Sequence, residues 1–195
     1  MGDIAQVGTD EIAGVARSLA RAFHDDPVFA YLLGGTPLAE QSGVTFFTAF
    51  LKIQMPHGHV YRSAGGEAAA IWAPPGEWKV PNKEIVRFLP ALFTVFGKRL
   101  VPALRTLARL EKRHPHEPHY YLEFIGTDPT HQGKGAGSSL MEPMAARCDA
   151  EGVGAYLESS KESNVPFYSR FGFEVRETVT HPDGPSQWLM WRDPR

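Results

Sequence analysis

Between Gln132 and Gly137 the chain reads Gln-Gly-Lys-Gly-Ala-Gly, after an apolar run and before a helical one. Glycines at 133, 135 and 137 admit unusual backbone angles and a close approach by a ligand. Amide groups in such a turn converge on the start of the next helix, where the macrodipole favours an anion. The chemistry this predicts is a phosphate or pyrophosphate seat, with Lys134 as an added positive charge. Asn164 and Tyr168 stand four residues apart in a short helical stretch, so they share a face and can point at one ligand. The run from His114 to His119 has the look of a metal site. Its two prolines hold it extended and alternate residues then point apart, so it reads as a linker and no metal is expected. Cys148 is the single cysteine, which excludes an internal disulfide or a cysteine-cluster metal site.

Those residues need elements to hold them. Apolar residues at three- and four-residue steps predict a helix over Asp10 to Phe23, capped by Thr9 or Asp10. Asp26 is placed to cap a second helix, Val28 to Leu33, with Pro27 at its first position. A third helix is expected from Leu38 to Met55, ended by Pro56-His57-Gly58. Val60 to Ser63 and Ala68 to Ala73 read as a hairpin. From Asn82 to Arg113 the pattern is helical again, divided by Pro90 and Pro102 into two or three helices. Its apolar side must pack on something, either as plain core or as the wall of a pocket. Tyr120 to Thr127 reads as a strand, the stretch ending at Glu151 as a helix, and Ala155 to Ser159 as a further strand. Val165 to Phe171 is a short helix capped by Ser163 or Asn164. Phe173 to Thr180 and Ser186 to Arg192 form a last hairpin. The order gives a mixed α/β (α+β) domain with one central sheet flanked by helices and a helical insert around 82–113. Residues 1–195 are expected to be a single domain.

Composition narrows the partners. At 195 residues and 43% hydrophobic, the chain has room for a full core. A net charge of −2 leaves no electrostatic footprint for nucleic acid. The apolar stretch from Ile85 to Leu110 is interrupted by Pro90, Gly97, Lys98, Arg99, Pro102 and Arg105, so it cannot span a bilayer. No membrane partner and a cytoplasmic location are the expectations, with a monomer or homodimer as the assembly.

The glycine turn has three readings. A phosphate loop of the Walker type needs a lysine followed by serine or threonine after its second glycine, which is missing here. A dinucleotide fingerprint has a different glycine spacing and belongs near the first strand of a βαβ unit. Gln132 to Gly137 does resemble the Q/R-x-x-G-x-G/A motif of the GNAT superfamily of acyl-CoA-dependent N-acyltransferases, with the preceding strand and Thr127-Asp128-Pro129 in their expected places. Asn164 to Phe173 reads N-x-x-x-Y-x-x-x-G-F and is similar to the second signature of that superfamily. From about Glu117 onward the chain is most similar to the puromycin N-acetyltransferase-like members; the likeness is weaker upstream.

The resemblance implies a splayed sheet and the transfer of an acetyl group from acetyl-CoA to a primary amine of a small molecule, by direct attack on the thioester. Peptide or protein N-acetylation and a non-catalytic acyl-CoA sensor are the alternatives. By position, Gln132, Gly133, Lys134, Gly135, Ala136 and Gly137 would cradle the pyrophosphate. The backbone of Ile125 and Thr127 would hold the pantetheine arm and leave an N–H near the thioester carbonyl. Tyr168 would be the general acid for the leaving thiolate, and Asn164 would orient the cofactor. For the base, Glu123 is attractive because a residue two before Ile125 on a regular strand shares its face. Glu158, at the end of the next strand, is the rival. The acceptor site is expected among Phe23, Asp26, Phe29, Tyr31 and Trp72.

Overall fold

A computed structural model describes residues 3–195. Seven strands are β1 (Ile4–Gln6), β2 (Val60–Ser63), β3 (Ala68–Ala73), β4 (His119–Thr127), β5 (Gly154–Ser159), β6 (Glu174–Thr180) and β7 (Ser186–Arg192). They form one sheet in the order β1-β2-β3-β4-β5-β7-β6, antiparallel throughout except for the parallel β4–β5 pair. Seven helices cover it: α1 (Ile12–Ala22), α2 (Pro27–Leu32), α3 (Glu40–Gln54), α4 (Asn82–Phe96), α5 (Leu100–Glu111), α6 (Ala136–Glu151) and α7 (Val165–Ser169). The central mixed sheet, its splay and the helical insert at 82–113 are as the sequence predicts. Among the described residues no helix is long and apolar enough to cross a membrane.

Two cores lie on opposite faces of the sheet. Val15, Leu19, Phe47, Leu51 and Ile71 join α1, α3 and the insert on one face. Trp72, Leu122, Leu140, Met144, Tyr168 and Phe173 join α6 and α7 on the other. Strand β4 runs between them and lies so close to α1 that a Cβ on Gly126 would sit 2.7 Å from the Ala22 Cβ.

Several local expectations are corrected. Pro90 does not divide the insert: α4 continues through it to Phe96, and the chain breaks at Gly97, whose φ of 47° is left-handed. Burial of Phe88, Ala91, Leu92 and Val95 along α4 outweighs the one backbone bond that Pro90 removes. Pro102 lies in the first turn of α5, where it removes no interior bond. Neither Thr9 nor Asp10 caps α1; Glu11 occupies the cap without a side-chain bond. Strand β1 was too short to show a period of two and is held by its pairing with β2.

The linker from His114 to His119 is not splayed apart either. His114 and His119 meet with their Nε2 atoms 3.0 Å apart, and Trp78 stacks on His114 at 3.6 Å. His119 Nδ1 lies 2.6 Å from the Glu117 carbonyl and so carries the proton it donates there. His119 Nε2 is therefore the acceptor and His114 Nε2–H the donor, which requires the His119 ring to be neutral. Burial and the His119 ring hold the His114 pKa down at about 3. The unfolded chain, near 6.5, binds this proton more readily. Stability from the pair is thus present above about pH 6.5 and falls as pH drops toward 3, by an amount on the order of 2 kcal/mol. Thermal melts from pH 7.5 to 4 should show this loss, and His114→Asn should flatten the slope. No group of three or more metal-ligating side chains is present among the described residues.

Candidate active site

Strands β4 and β5 pair only from His119 with Gly154 to Leu122 with Leu157. Beyond that point β4 keeps a partner only in β3, and Glu158 and Ser159 keep theirs only in β7. A wedge opens between the two parallel strands, and it leaves backbone groups of β4 from Glu123 to Thr127 available to an extended ligand. A bulge starts the wedge. Ile71 opposes Phe124 whereas Trp72 opposes Leu122, so Glu123 is an extra residue with no partner across the pair.

That bulge corrects the geometry expected for Glu123. Leu122 and Ile125 pack with the α6-side core, and Phe124 packs with the α1–α3 side. Glu123 also turns to the α3 side, where its Oε1 accepts from Gln54 Nε2 at 2.8 Å. Glu123 and Ile125 therefore occupy opposite faces. An inserted residue reverses the alternation on which the shared face depended.

The glycine turn closes one end of the wedge. Gly133 and Gly135 have φ of 77° and 88°, and a Cβ at either would meet nothing within 4 Å. The turn is an exposed, open concavity whose shape needs the left-handed region at both positions. The N–H groups of Gln132, Gly133, Lys134 and Gly135 meet no backbone carbonyl. The first amides of α6, including those of Ala136 and Gly137, likewise have no carbonyl four residues back. Asp128 pins the approach by accepting from the backbone and side chain of Thr130 and from Arg21. Gln132 folds back, Nε2 donating to the Thr127 carbonyl at 3.2 Å. Free amides at the start of a sixteen-residue helix fit a diphosphate.

Helix α7 carries Asn164 at its cap and Tyr168 within it, and Tyr168 shares the α6-side core with Ile125 of β4. Asn164 stands at the cap position but makes no side-chain cap bond, so its amide is not consumed in capping. Tyr168 is 7% exposed, packed in the α6-side core with Ile125 and Phe167 near it. Its hydroxyl makes no hydrogen bond among the described residues. Burial raises its pKa, and the nearby Asp26 carboxylate raises it further, so the phenol holds its proton.

Across the sheet, four side chains that bear protons gather on the other face. Glu158 accepts from the Tyr156 hydroxyl at 3.0 Å. Tyr121 lies 5.6 Å from the Tyr156 ring, and the Glu158 and Glu123 charges add to the burial that raises its pKa. Burial pushes the Glu158 carboxyl up to about 7, and the Tyr156 hydroxyl opposes that rise. Burial also drives Glu123 well above the usual carboxylate range. Gln54, Tyr121 and Tyr156 escape a sequence reading because each is 33 residues or more from at least one of its partners. The two-residue steps from Tyr121 to Glu123 and from Tyr156 to Glu158 are the local hints.

The five residues expected at the acceptor site do not all share one face: Phe23, Asp26 and Phe29 lie together, and Trp72 lies in the other core. Phe23 and Phe29 meet edge-on at 5.9 Å and pack with Phe47 and Phe124 as core aromatics. Asp26 does cap α2, its Oδ1 accepting from Val28 and Phe29, and its Oδ2 accepts from Ser160 just past β5. Tyr31 reaches the last hairpin, donating to the Pro182 carbonyl and stacking on His181. Trp72 is 1% exposed on the opposite face, within the core that holds Tyr168. An apolar residue in a central strand is buried on whichever face it points to, so Trp72 forms no wall with the other four.

Residues 93–173 match the sequence model of the Acetyltransferase (GNAT) family. An uncharacterized N-acetyltransferase of Schizosaccharomyces pombe is 29% identical over 184 residues, covering 84% of this chain and 71% of that protein. Among solved structures, histone acetyltransferase HPA2 and related acetyltransferase from Corynebacterium glutamicum superposes with a TM-score of 0.71 at 22% identity, over 100% of this chain and 98% of its own. The polyamine N-acetyltransferase of Drosophila melanogaster, which forms N-acetylagmatine, superposes with a TM-score of 0.65 at 19% identity, over 98% and 99%. The wedge between β4 and β5, the open glycine turn and the match across 93–173 converge on one likeness: the chain has the fold of the GNAT-type acetyltransferases and resembles that family through its central segment.

Proposed function

We propose that the protein transfers an acetyl group from acetyl-CoA to a primary amine of a small molecule, by direct attack of the amine on the thioester. The observation that carries the reading is the buried Tyr168, whose phenol makes no hydrogen bond among the described residues, in the core that holds Ile125 of β4, with Glu158 just beyond the point where β4 and β5 part. Acetyl-CoA, when bound, supplies an acyl carbon with a thiolate leaving group. Backbone amides from Gln132 to Gly137 and the Lys134 ammonium hold its pyrophosphate. The edge of β4 at Ile125 and Thr127 pairs with the pantetheine arm as an added strand, and Asn164 orients it. A backbone N–H in the bulged stretch of β4 faces the carbonyl oxygen as charge develops there.

Proton traffic runs in one direction. Glu158 takes a proton from the amine nitrogen as the C–N bond forms, and Tyr168 gives one to sulfur as the C–S bond breaks. Glu158 carries the base role because a carboxyl at about 7 is half ionised at working pH. Glu123 rests protonated. Its Oε2 and Gln54 Oε1 are both buried acceptors without a partner, on the two residues already joined by one hydrogen bond. A single proton on Glu123 Oε2, donated to Gln54 Oε1, satisfies both atoms. Glu123→Gln preserves that donor and should leave kcat/KM within about threefold of wild type across pH 6 to 9, whereas loss of a catalytic base costs about a hundredfold or more. A drop of that size would return the base role to Glu123.

Thiol release from acetyl-CoA against a panel of amines tests the function. Agmatine and other polyamines belong in it because the Drosophila relative forms N-acetylagmatine, and aminonucleosides because the second half resembles puromycin N-acetyltransferase-like members. Turnover of at least one amine is expected. Silence across the panel with tight CoA binding would favour an acyl-CoA sensor instead.

A further inference from the structure

Seven of the eight large apolar side chains that lie exposed among the described residues belong to the α4–α5 hairpin. Phe93 is 67% exposed, Val86 65% and Val101 56%. Val86, Leu89 and Phe93 follow one another at three- and four-residue steps on α4, and Val101, Leu104 and Leu107 at three-residue steps on α5, so each helix carries an outward apolar stripe. Phe88, Leu92 and Val95 on α4, with Ala103 and Leu110 on α5, already supply the buried faces. The outward stripes are surplus to the core.

Charge is concentrated in the same segment. Residues 82–113 hold eight lysines and arginines against two glutamates, a surplus of six positive charges. The rest of the chain holds twelve against twenty and is acidic. Some of the basic residues are engaged: Arg87 pairs with Glu84 and Arg113 with Glu177. Lys83, Lys98, Arg105, Arg109 and Lys112 have no acidic partner among the described residues. Lys98 stands at the hairpin tip, where Gly97 turns the chain.

We propose that this hairpin is a docking surface for an anionic phospholipid membrane, lying in the headgroup plane with its outward apolar side chains in the acyl boundary. A span is excluded by the sequence, but a helix lying on the surface needs only an apolar stripe flanked by basic residues. A second copy of the chain fits this face poorly, since a two-fold contact sets one basic surface against an identical one. Nucleic acid would match the charge yet give the exposed phenylalanine, valines and leucines nothing to bury against. Anionic lipid answers both features. The proposal is independent of the acetyl-transfer mechanism.

The test is sedimentation of the full chain with phosphatidylcholine vesicles and with vesicles holding about one third phosphatidylserine. Binding to the anionic vesicles is expected to exceed that to the neutral ones by at least about tenfold and to be released near 0.5 M salt, where charges are screened within a few ångströms. The double variant Phe93→Asp, Val101→Asp, changed at exposed positions only, should lose vesicle binding while its acetyl transfer is unchanged. Failure to bind anionic vesicles overturns the proposal. So does equal, salt-insensitive binding to both lipids. Self-association of the lipid-free chain that the double variant disperses, without vesicle binding, would assign the face to a second copy.

Discussion

Replacing Tyr168 with phenylalanine lowers kcat about a hundredfold or more and leaves CoA affinity within about twofold. The ring stays in the α6-side core, since Tyr168 is buried and its hydroxyl makes no hydrogen bond there. Removing the oxygen therefore creates no unpaired partner and little cavity, and melting temperature should hold. What disappears is the proton for the departing sulfur. Its size follows from the role of a general acid, which contributes roughly two to four orders of magnitude. A phenol raised by burial and by Asp26 keeps its proton well past neutral pH, so wild-type kcat should show no alkaline loss between pH 7 and 9. Single-turnover rates, with CoA titrations on the same samples, separate chemistry from binding. Unchanged turnover in the variant would remove Tyr168 from the chemistry.

The second large effect belongs to Glu158. Glu158→Gln should cut kcat/KM by about a hundredfold or more and abolish the acid limb of the pH profile. In the wild type that limb should have an apparent pKa near 7, because burial pushes the carboxyl up to about 7 and only the ionised form accepts a proton. The sign is fixed by the group: a carboxyl raised by burial is protonated and idle below this value and active above it. Tyr156→Phe supplies a graded check. Its hydroxyl donates to Glu158 at 3.0 Å and opposes the rise, so its loss should move the limb to higher pH without removing it. Measuring kcat/KM from pH 5.5 to 9 for the three proteins decides the matter. A limb that stays in Glu158→Gln would mean that another group is titrating.

These two experiments frame how the four acidic and phenolic groups divide their work. Glu123 and Glu158 sit on the same side of the sheet, both raised by burial, yet their neighbours differ. Glu123 faces a carboxamide whose oxygen can accept a hydrogen bond from its protonated form, whereas Glu158 accepts from a hydroxyl, which supports its charge. Neutral carboxyl and ionisable carboxyl follow from those partners.

Much of this was legible in the residues alone. The glycine turn, the cap at Asp26 and the strands Val60–Ser63, Ala68–Ala73 and Ser186–Arg192 all rest on interactions within a few residues. Local propensity, side-chain period and turn chemistry act at that range, so a sequence displays them. The short insert helices were legible too, though not their boundary, because burial of an apolar face carried α4 past Pro90 to Gly97.

Tertiary structure decided the rest. The bulge at Glu123 arises from the register between β3 and β4, and it reverses which face the carboxyl takes. Gln54 reaches Glu123 across 69 residues of chain, and His114 meets His119 because the linker folds under Trp78. Whether the apolar side of the insert was core or surface also waited on packing, which left Phe93 and Val86 outside. Residue types and spacing alone point to the glycine turn as the proposed diphosphate seat and to Tyr168 as the proposed acid. Only the packed sheet brought Gln54 to Glu123 and buried both carboxyls, and a carboxyl's charge depends on those surroundings, which local sequence does not display.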